Sequence, residues 1–472
     1  MKTKKQLVTE RLEPRMCLAA TFPIKHIIHE TGNGTQSVLF ADVDADADLD
    51  IVTSSYADKE FGWFERGENG YIRKSLPTDN FSSAYPIAAG LINADSQMDI
   101  VVGDYEGDRL LWYPSSPFGF GKPIEISREV EHIQHIEIVD VNGDQSLDVV
   151  AAFEEYIKWY EYSPDLGTFS SGVTLFDELN NYDVDEFEFA DVDDNSTIDL
   201  ILAIDDPCCD TSPSPARIRF GNESGGFSDE VVLFETRNRI SSIATGDYNQ
   251  DGKTDIVLGF RSGVIRYYQQ ADNGFETGLN LTDQPNYPVQ IESADVDSDG
   301  DLDLVVAARD ANLIALIENT HGQSKPFRYS AVANIASPRS ISLGDADGDG
   351  DLDIAVGNNV QGGSQVVILE NRAIGDVNND GVFNSSDFVA VFIAGEYEDD
   401  VAGNSTFETG DWNGDGDFDS SDFVAAFQAG TYVATASPES VFAHDPIFNN
   451  KSRRVGAIHD RLMEQDNHWF LD

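Results

Sequence analysis

Seven times between Ala41 and Val356 the sequence sets Asp or Asn at alternate positions of a short loop and then runs straight into β-branched apolar residues. The fullest copy is GDADGDGDLDIAV, Gly344 to Val356. The others are ADVDADADLDIV from Ala41, GLINADSQMDIVV from Gly90, VDVNGDQSLDVV from Val139, ADVDDNSTIDLIL from Ala190, GDYNQDGKTDIVL from Gly246 and ADVDSDGDLDLVV from Ala294. Their last acids, Asp50, Asp99, Asp148, Asp199, Asp255, Asp303 and Asp353, recur at intervals of 48 to 56 residues. A unit of that length holds four short strands, the content of one propeller blade. Around each loop the pattern agrees: an apolar stretch such as Tyr85–Ala89 precedes it and a run such as Asp99–Gly103 follows. An aromatic strand comes next (Trp63/Phe64, Trp112/Tyr113, Trp159/Tyr160, Tyr267/Tyr268), then a polar one such as Gly70–Arg73. The expected fold is an all-β, seven-bladed propeller over residues 22–374. Its last unit lacks an outer strand, whereas Pro23–Ile28 precedes the first loop with no blade of its own. The N-terminal strand is therefore expected to complete blade 7 and remove the open sheet edge.

Crowded carboxylates at a turn repel one another unless a cation joins them. Oxygens at alternate positions of a tight loop converge on one point, and a carbonyl near position 7 can complete a shell of hard ligands. That is calcium chemistry more than the stricter octahedron of magnesium. Numbering each loop from its first acid, positions 1, 3, 5 and 9 nominate Asp42, Asp44, Asp46 and Asp50 in the first unit and Asp140, Asn142, Asp144 and Asp148 in the third. They nominate Asp191, Asp193, Asn195 and Asp199 in the fourth, and Asp247, Asn249, Asp251 and Asp255 in the fifth. The sixth contributes Asp295, Asp297, Asp299 and Asp303, the seventh Asp345, Asp347, Asp349 and Asp353. The second unit has Leu91, Asn93, Asp95 and Asp99 there, and its site is expected to be weak or empty.

The 30 basic and 85 acidic residues give a net charge of −55, which repels nucleic acid and anionic membrane surfaces. No run of about 18 apolar residues offers a membrane-spanning segment. Three cysteines cannot build a disulfide framework, and adjacent Cys208 and Cys209 read as loop thiols, a strained vicinal disulfide being the other option. Residues 1–21 form a basic leader ending in Leu18-Ala19-Ala20, its apolar stretch interrupted by Glu10, Arg11, Glu13 and Arg15.

The pattern Asp-x-Asp/Asn-x-Asp/Asn-x-x-x-Asp followed by an apolar strand resembles the FG-GAP/VCBS repeat family and, through it, the integrin α-subunit propeller. The resemblance implies calcium loops between the first two strands of each blade, with partners on a face away from them. The segment Leu12-Glu13-Pro14-Arg15-Met16-Cys17-Leu18 resembles the LEPR-XLL leader of exported planctomycete proteins, with Cys17-Leu18 in place of Leu-Leu. That implies secretion to the cell surface or beyond.

Residues 375–432 follow another rule. Asp376, Asn378, Asp380, Asn384 and Asp387 occupy positions 1, 3, 5, 9 and 12 of a loop with Gly381 at 6, and Asp411, Asn413, Asp415, Asp419 and Asp422 repeat it 35 residues on. This is EF-hand spacing with Asp for Glu at position 12, and a short apolar helix follows each loop. Two loop–helix units without full entering helices resemble a type I dockerin. The resemblance implies bound calcium and a cohesin partner, with Ser385, Ser386, Ser420 and Ser421 at the recognition positions; Glu396–Gly410 is a longer linker than that family usually has. A self-contained calcium-stapled cap or stalk is the alternative. Residues 433–472 are a tail with no assigned role.

For chemistry the sequence offers little. His132 and His135 are three apart and on a strand would face opposite sides, which argues against a shared zinc. The carboxylates nearly all belong to cation loops, and the aromatic pairs read as packing between blades before they read as a sugar platform. The expected function is an extracellular carbohydrate- or protein-binding adhesion module with a dockerin-like attachment domain. A polysaccharide lyase or glycoside hydrolase built on the propeller is the alternative.

Overall fold

The computed structural model describes residues 22–433 apart from 32–33, 58, 68–69, 75, 77–80, 94, 96, 129–131, 154–155, 178–182, 206–214, 223–224, 237, 272–273, 285, 321–326, 400 and 430–431. The leader with Cys17, the pair Cys208 and Cys209, and the tail beyond 433 lie outside the described residues. The described chain forms two compact units, the sheets that begin at Phe22 and the segment Ala373–Ala436.

Seven four-stranded antiparallel sheets make up the first unit, in chain order blades 1 to 7. Blade 1 shows the plan: an inner strand Thr35–Ala41, the acidic loop, a fully buried second strand Asp50–Ser55, a third strand Glu60–Gly67 and an outer strand Gly70–Lys74. The inner strands of blades 2 to 7 are Ala84–Gly90, His135–Val139, Asp183–Ala190, Ile240–Gly246, Pro288–Ala294 and Pro338–Gly344. Each touches the next, and the seventh touches the first, so the circuit closes.

Closure takes the form expected from the sequence. Ile24–Thr31 pairs antiparallel with Ser364–Glu370, from Ile24 opposite Glu370 to Thr31 opposite Ser364, as the outer strand of blade 7. His26 Nε2 lies 2.8 Å from Glu370 across that seam. The Ser340 and Ser342 hydroxyls accept the Val38 and Phe40 amides, tying blade 7 to blade 1 at the inner strands as well.

The third-strand aromatics serve packing. Successive strand residues point to opposite faces, so Trp63 joins the cluster between blades 1 and 2 while Phe64 joins the one between 7 and 1. Trp112 and Tyr113, and Tyr267 and Tyr268, divide in the same way between their two neighbours. Trp159 is the one member only half buried. The sequence reading missed two small hairpins, Tyr162–Ser163 with Thr168–Phe169 and Gln270–Ala271 with Gly274–Phe275, which decorate the way to the outer strands of blades 3 and 5.

In the second unit α1 (Ser385–Ala394) and α2 (Ser420–Ala429) each follow an acidic loop. Phe383 and Phe418, at position 8 of the loops, are buried with Val391, Trp412 and Ala426. Gly375 and Gly410, just before each loop, adopt φ of 101° and 119°, and a Cβ there would sit 2.6 and 2.5 Å from those phenylalanine rings. Only glycine satisfies both demands. The halves are interlocked: after α1 the Glu398 amide donates to the Phe418 carbonyl (2.9 Å), and after α2 the Val433 amide donates to the Phe383 carbonyl (2.8 Å). No helix among the described residues is long and apolar enough to cross a membrane.

Candidate functional site: the acidic loops

Each acidic loop joins the inner strand to the second strand of its blade and is wound by its own side chains. In blade 7 the Asp345 carboxylate accepts the amides of Gly348, Asp349 and Gly350, at positions 4, 5 and 6. Asp347 accepts the Asp349 amide and Asp349 the Asp351 amide, so each oxygen side chain turns the chain two residues on. Blade 3 repeats the arrangement through Asp140, Asn142 and Asp144, and blade 5 through Asp247, Asn249 and Asp251. The path requires left-handed backbone at positions 4 and 6. Gly348 and Gly350 supply it in blade 7; Ala45 (φ 61°) and Ala47 (φ 74°) adopt it in blade 1 against their Cβ atoms. The GDGD of blade 7 displays this demand, but the sequence reading passed over it.

The position-9 acids have a second role that spacing did not disclose. Asp50, Asp148, Asp199, Asp255, Asp303 and Asp353 are fully buried at the start of their second strands. One oxygen accepts an amide near the end of the third strand: Arg66 for Asp50, Tyr162 for Asp148, Gly221 for Asp199, Gln270 for Asp255, Asn319 for Asp303 and Asn371 for Asp353, at 2.7 to 2.9 Å. The other accepts the position-2 amide, as from Val192 to Asp199 and Ala346 to Asp353, both at 2.8 Å. In blade 5 the Tyr267 hydroxyl donates to Asp255 instead (2.9 Å). Two of the same asparagines reach the preceding blade: Asn319 Nδ2 donates to the Tyr248 carbonyl and Asn371 Nδ2 to the Val296 carbonyl. Each such carboxylate thus fastens its loop to its own blade, and in blades 6 and 7 the asparagine extends the link to the preceding one.

Carboxylate oxygens of Asp42, Asp44 and Asp46 come within 4.8 Å of one another, as do those of Asp191, Asp193 and Asp199, of Asp295, Asp297 and Asp299, and of Asp345, Asp347 and Asp353. Asp42 Oδ1, Asp44 Oδ1 and Asp349 Oδ2 are enclosed without a hydrogen-bond donor. Burial pushes the carboxyls of Asp50, Asp199 and Asp255 up to about 6, Asp148 to about 7 and Asp353 to about 9. Asp349 rises to about 8, through burial first and then repulsion from Asp347, Asp351 and Asp345. Enclosed oxygens that lack donors and resist ionisation fit a hard divalent cation, which supplies the missing positive charge.

A family model described as FG-GAP-like repeat matches residues 92–151, 191–258, 247–306 and 295–356. The chain carries FG-GAP-like repeats. No curated protein matches the sequence. Among solved structures, an Agrocybe aegerita lectin described as recognising non-reducing terminal N-acetylglucosamine is 15% identical, over 64% of this chain and 81% of its own, with a TM-score of 0.48. BBS1N in complex with ARL6DN is 11% identical over 74% and 97%, TM-score 0.49. The Dos1 propeller is 11% identical over 75% and 96%, TM-score 0.47.

Within the FG-GAP-like repeats blade 2 stands apart. Leu91 offers no carboxylate at position 1, so only the Asn93 and Asp95 turns remain, and the buried Asp99 still accepts the Ser115 amide (2.8 Å). The fastening role survives where the position-1 carboxylate is missing.

The C-terminal loops share the first half of this design. Asp376 accepts the amides of Asp380 and Gly381, and Asp411 those of Gly414, Asp415 and Gly416. Asn378 and Asn413 turn the chain at position 3, Asp380 and Asp415 at position 5. Asp387 and Asp422 at position 12 are buried and closed on backbone: Asp387 accepts from Val377, Asn378 and Asn384, and Asp422 from Trp412, Asn413 and Asp419. Asn384 caps α1 through the Ser386 amide, and Asp419 accepts the Ser421 amide at the start of α2. Ser386 and Ser421 accept from Asn378 and Asn413 of their own loops, whereas Ser385 and Ser420 are exposed.

The two histidines are separated by structure. His132 stacks on Tyr105, centroids 4.9 Å apart, and His135 Nδ1 lies 3.1 Å from Glu186.

Proposed function

We propose that the chain is a secreted, calcium-stapled propeller that binds an extracellular carbohydrate or protein, with a dockerin-like module for attachment. Ca²⁺ occupies the acidic loops of blades 1 and 3 to 7 and the two C-terminal loops, through the side chains at positions 1, 3 and 5 with help from position 9 or 12. The observation that carries this reading is the convergence of carboxylate oxygens at the same place in blades 1, 4, 6 and 7, with enclosed donor-less oxygens among them in blades 1 and 7. FG-GAP-like repeats on a closed ring, with no cofactor-binding motif in the chain, support a binding module.

For the second unit, Val389, Phe392 and Ile393 on α1 and Val424 and Phe427 on α2 are exposed apolar side chains on helices capped by cation loops. Such a surface suits a protein partner of the cohesin kind.

Calorimetric titration of chelator-stripped protein with calcium tests the reading, together with melting in chelator and in excess calcium. Saturable binding and a raised melting temperature are expected. Heatless titration with superimposable melts would overturn the calcium assignment.

A further inference from the structure

At the end of the ring remote from the acidic loops, basic and aromatic side chains collect. Each inner strand runs from that end to its loop, and six or seven residues of strand span roughly 20 Å. The rim of blades 5 to 7 there carries Arg239, Arg261, Arg309 and Arg339, in a chain with only 30 basic residues and a net charge of −55. Backbone bonds place Arg261 and Arg309 in equivalent positions, and Arg239 and Tyr287 likewise: the Arg261 amide donates to the Arg239 carbonyl (2.9 Å) and the Arg309 amide to the Tyr287 carbonyl (3.0 Å). The Arg309 guanidinium lies 4.0 Å from the centre of the Tyr287 ring and Arg261 5.2 Å from it.

Two members sit in bulges of the inner strands. The register slips between Pro338 and Ser340, which frees Arg339, and between Ala84 and Ile87, which frees Tyr85. Bulges re-aim side chains and gather beside binding sites. Arg339 is half buried, its Nε enclosed without an acceptor. Burial and then repulsion from Arg309 lower its guanidinium, while Tyr85, Tyr287 and Asp310 hold it up. Burial raises the Tyr85 hydroxyl, and Glu186, Arg339, Tyr105 and Tyr287 all bear on it electrostatically. The nearby acids have partners: Glu186 faces His135, and Asp310 pairs with Arg309 at 2.9 Å.

We propose that this mouth binds a carboxylated sugar, a uronate, with Arg339 and Arg309 on the carboxylate, the Tyr85 and Tyr287 hydroxyls beside it, and the Tyr105/His132 plate against the pyranose ring. The assignment rests on the binding-module reading and adds its ligand class. Guanidinium groups present planar, forked donors that match a carboxylate, and the half-buried Arg339 is held in place for that role by its enclosed stem. The charge of the whole protein repels polyanions at long range, so a single acid among neutral sugars suits the site better than a dense polyelectrolyte.

The test is an array of glucuronate- and galacturonate-bearing oligosaccharides, each printed beside its carboxyl-reduced counterpart and with sulfated glycans lacking carboxylate. It is probed with the full chain in calcium and with Arg339→Gln, Arg339→Lys, Tyr85→Phe and, as a control beside the outer strand of blade 2, Arg128→Gln. The expected result is retention on carboxylated members only, at least tenfold weaker for Arg339→Gln, intermediate for Arg339→Lys, about threefold weaker for Tyr85→Phe and unchanged for Arg128→Gln. Tyr85→Phe and Arg339→Lys keep the test valid if Arg339→Gln misfolds. Uronate binding that survives these substitutions, or binding confined to sulfated glycans, overturns the site. Retention on neutral glycans overturns it while leaving the binding-module reading standing; no retention on any glycan overturns the carbohydrate reading with it.

Discussion

The propeller loops and the C-terminal loops begin alike and finish differently. Both wind positions 1 to 6 with carboxylate-to-amide bonds, and both bury one closing acid, at position 9 in the ring and at position 12 in the second unit. Asp353 closes its loop onto a second strand packed between neighbouring blades, and Asn371 carries the link into the preceding blade. Asp387 closes its loop onto the first turn of α1 in a unit of about sixty residues, a size at which burial alone gives little margin. In the ring the closing acid adds to a large core. In the second unit loop, cap and core depend on one another, so the cation binding proposed there would be folding free energy.

Calcium removal should therefore break the comparison at the second unit first, and this is the largest effect expected. In chelator, amide hydrogen exchange should lose protection across 385–394 and 420–429 while the second strands of the blades stay protected; uniform loss, or none, would refute the asymmetry. The ring should answer to pH in the same medium. Carboxyls raised to between about 6 and 9 bind protons more tightly folded than unfolded, where the value is about 4, so stability falls as pH climbs through that window. Calcium reverses the slope, because protons then compete with the metal. A melting series from pH 5 to 8 with and without chelator should show slopes of opposite sign.

Next in size is the closing acid itself. Asp353→Ala leaves the buried Ala346 and Asn371 amides unpaired, at about 1–3 kcal/mol each, with or without calcium. Asp347→Ala removes one part-buried turn bond and a proposed cation ligand, so its smaller cost should be greater in calcium than in chelator. Asp95→Ala in blade 2 should cost less still, since Leu91 has already spoiled that loop. Chemical denaturation of the three variants in both media checks the order. Equal losses for Asp347→Ala and Asp95→Ala would remove the distinction between blades.

That order also marks how far the sequence could be read. Blade number, strand plan, loop position and the closing of blade 7 by Ile24–Thr31 follow from repeated anchors at a steady interval, because a repeat exposes its own period. The loop-winding oxygen side chains at positions 1, 3 and 5 follow from alternation. The double duty of Asp353 does not, since its amide donor lies on Asn371, eighteen residues on, and only the finished blade brings it there. The Arg339 rim is harder again. Its members sit in connections of varied length and are neighbours only because the ring closes, so no spacing announces them.

The smallest expected effect separates loop geometry from metal. Blade 1 uses Ala45 and Ala47 where blade 7 has Gly348 and Gly350, all in left-handed backbone. A Cβ there costs about 1–2 kcal/mol per residue, part of which glycine returns through the greater freedom of its unfolded chain. Ala45→Gly with Ala47→Gly should thus stabilise the ring by about 1 kcal/mol in all. Because the strain belongs to the backbone, the gain should persist in chelator. A gain seen only with calcium would mean that the metal, and not the amide bonds that Asp42 and Asp46 accept, dictates the path of the loop. The unmetallated turn would then be looser in the ring than in the C-terminal loops, where Gly414 and Gly416 already adopt the left-handed backbone without strain.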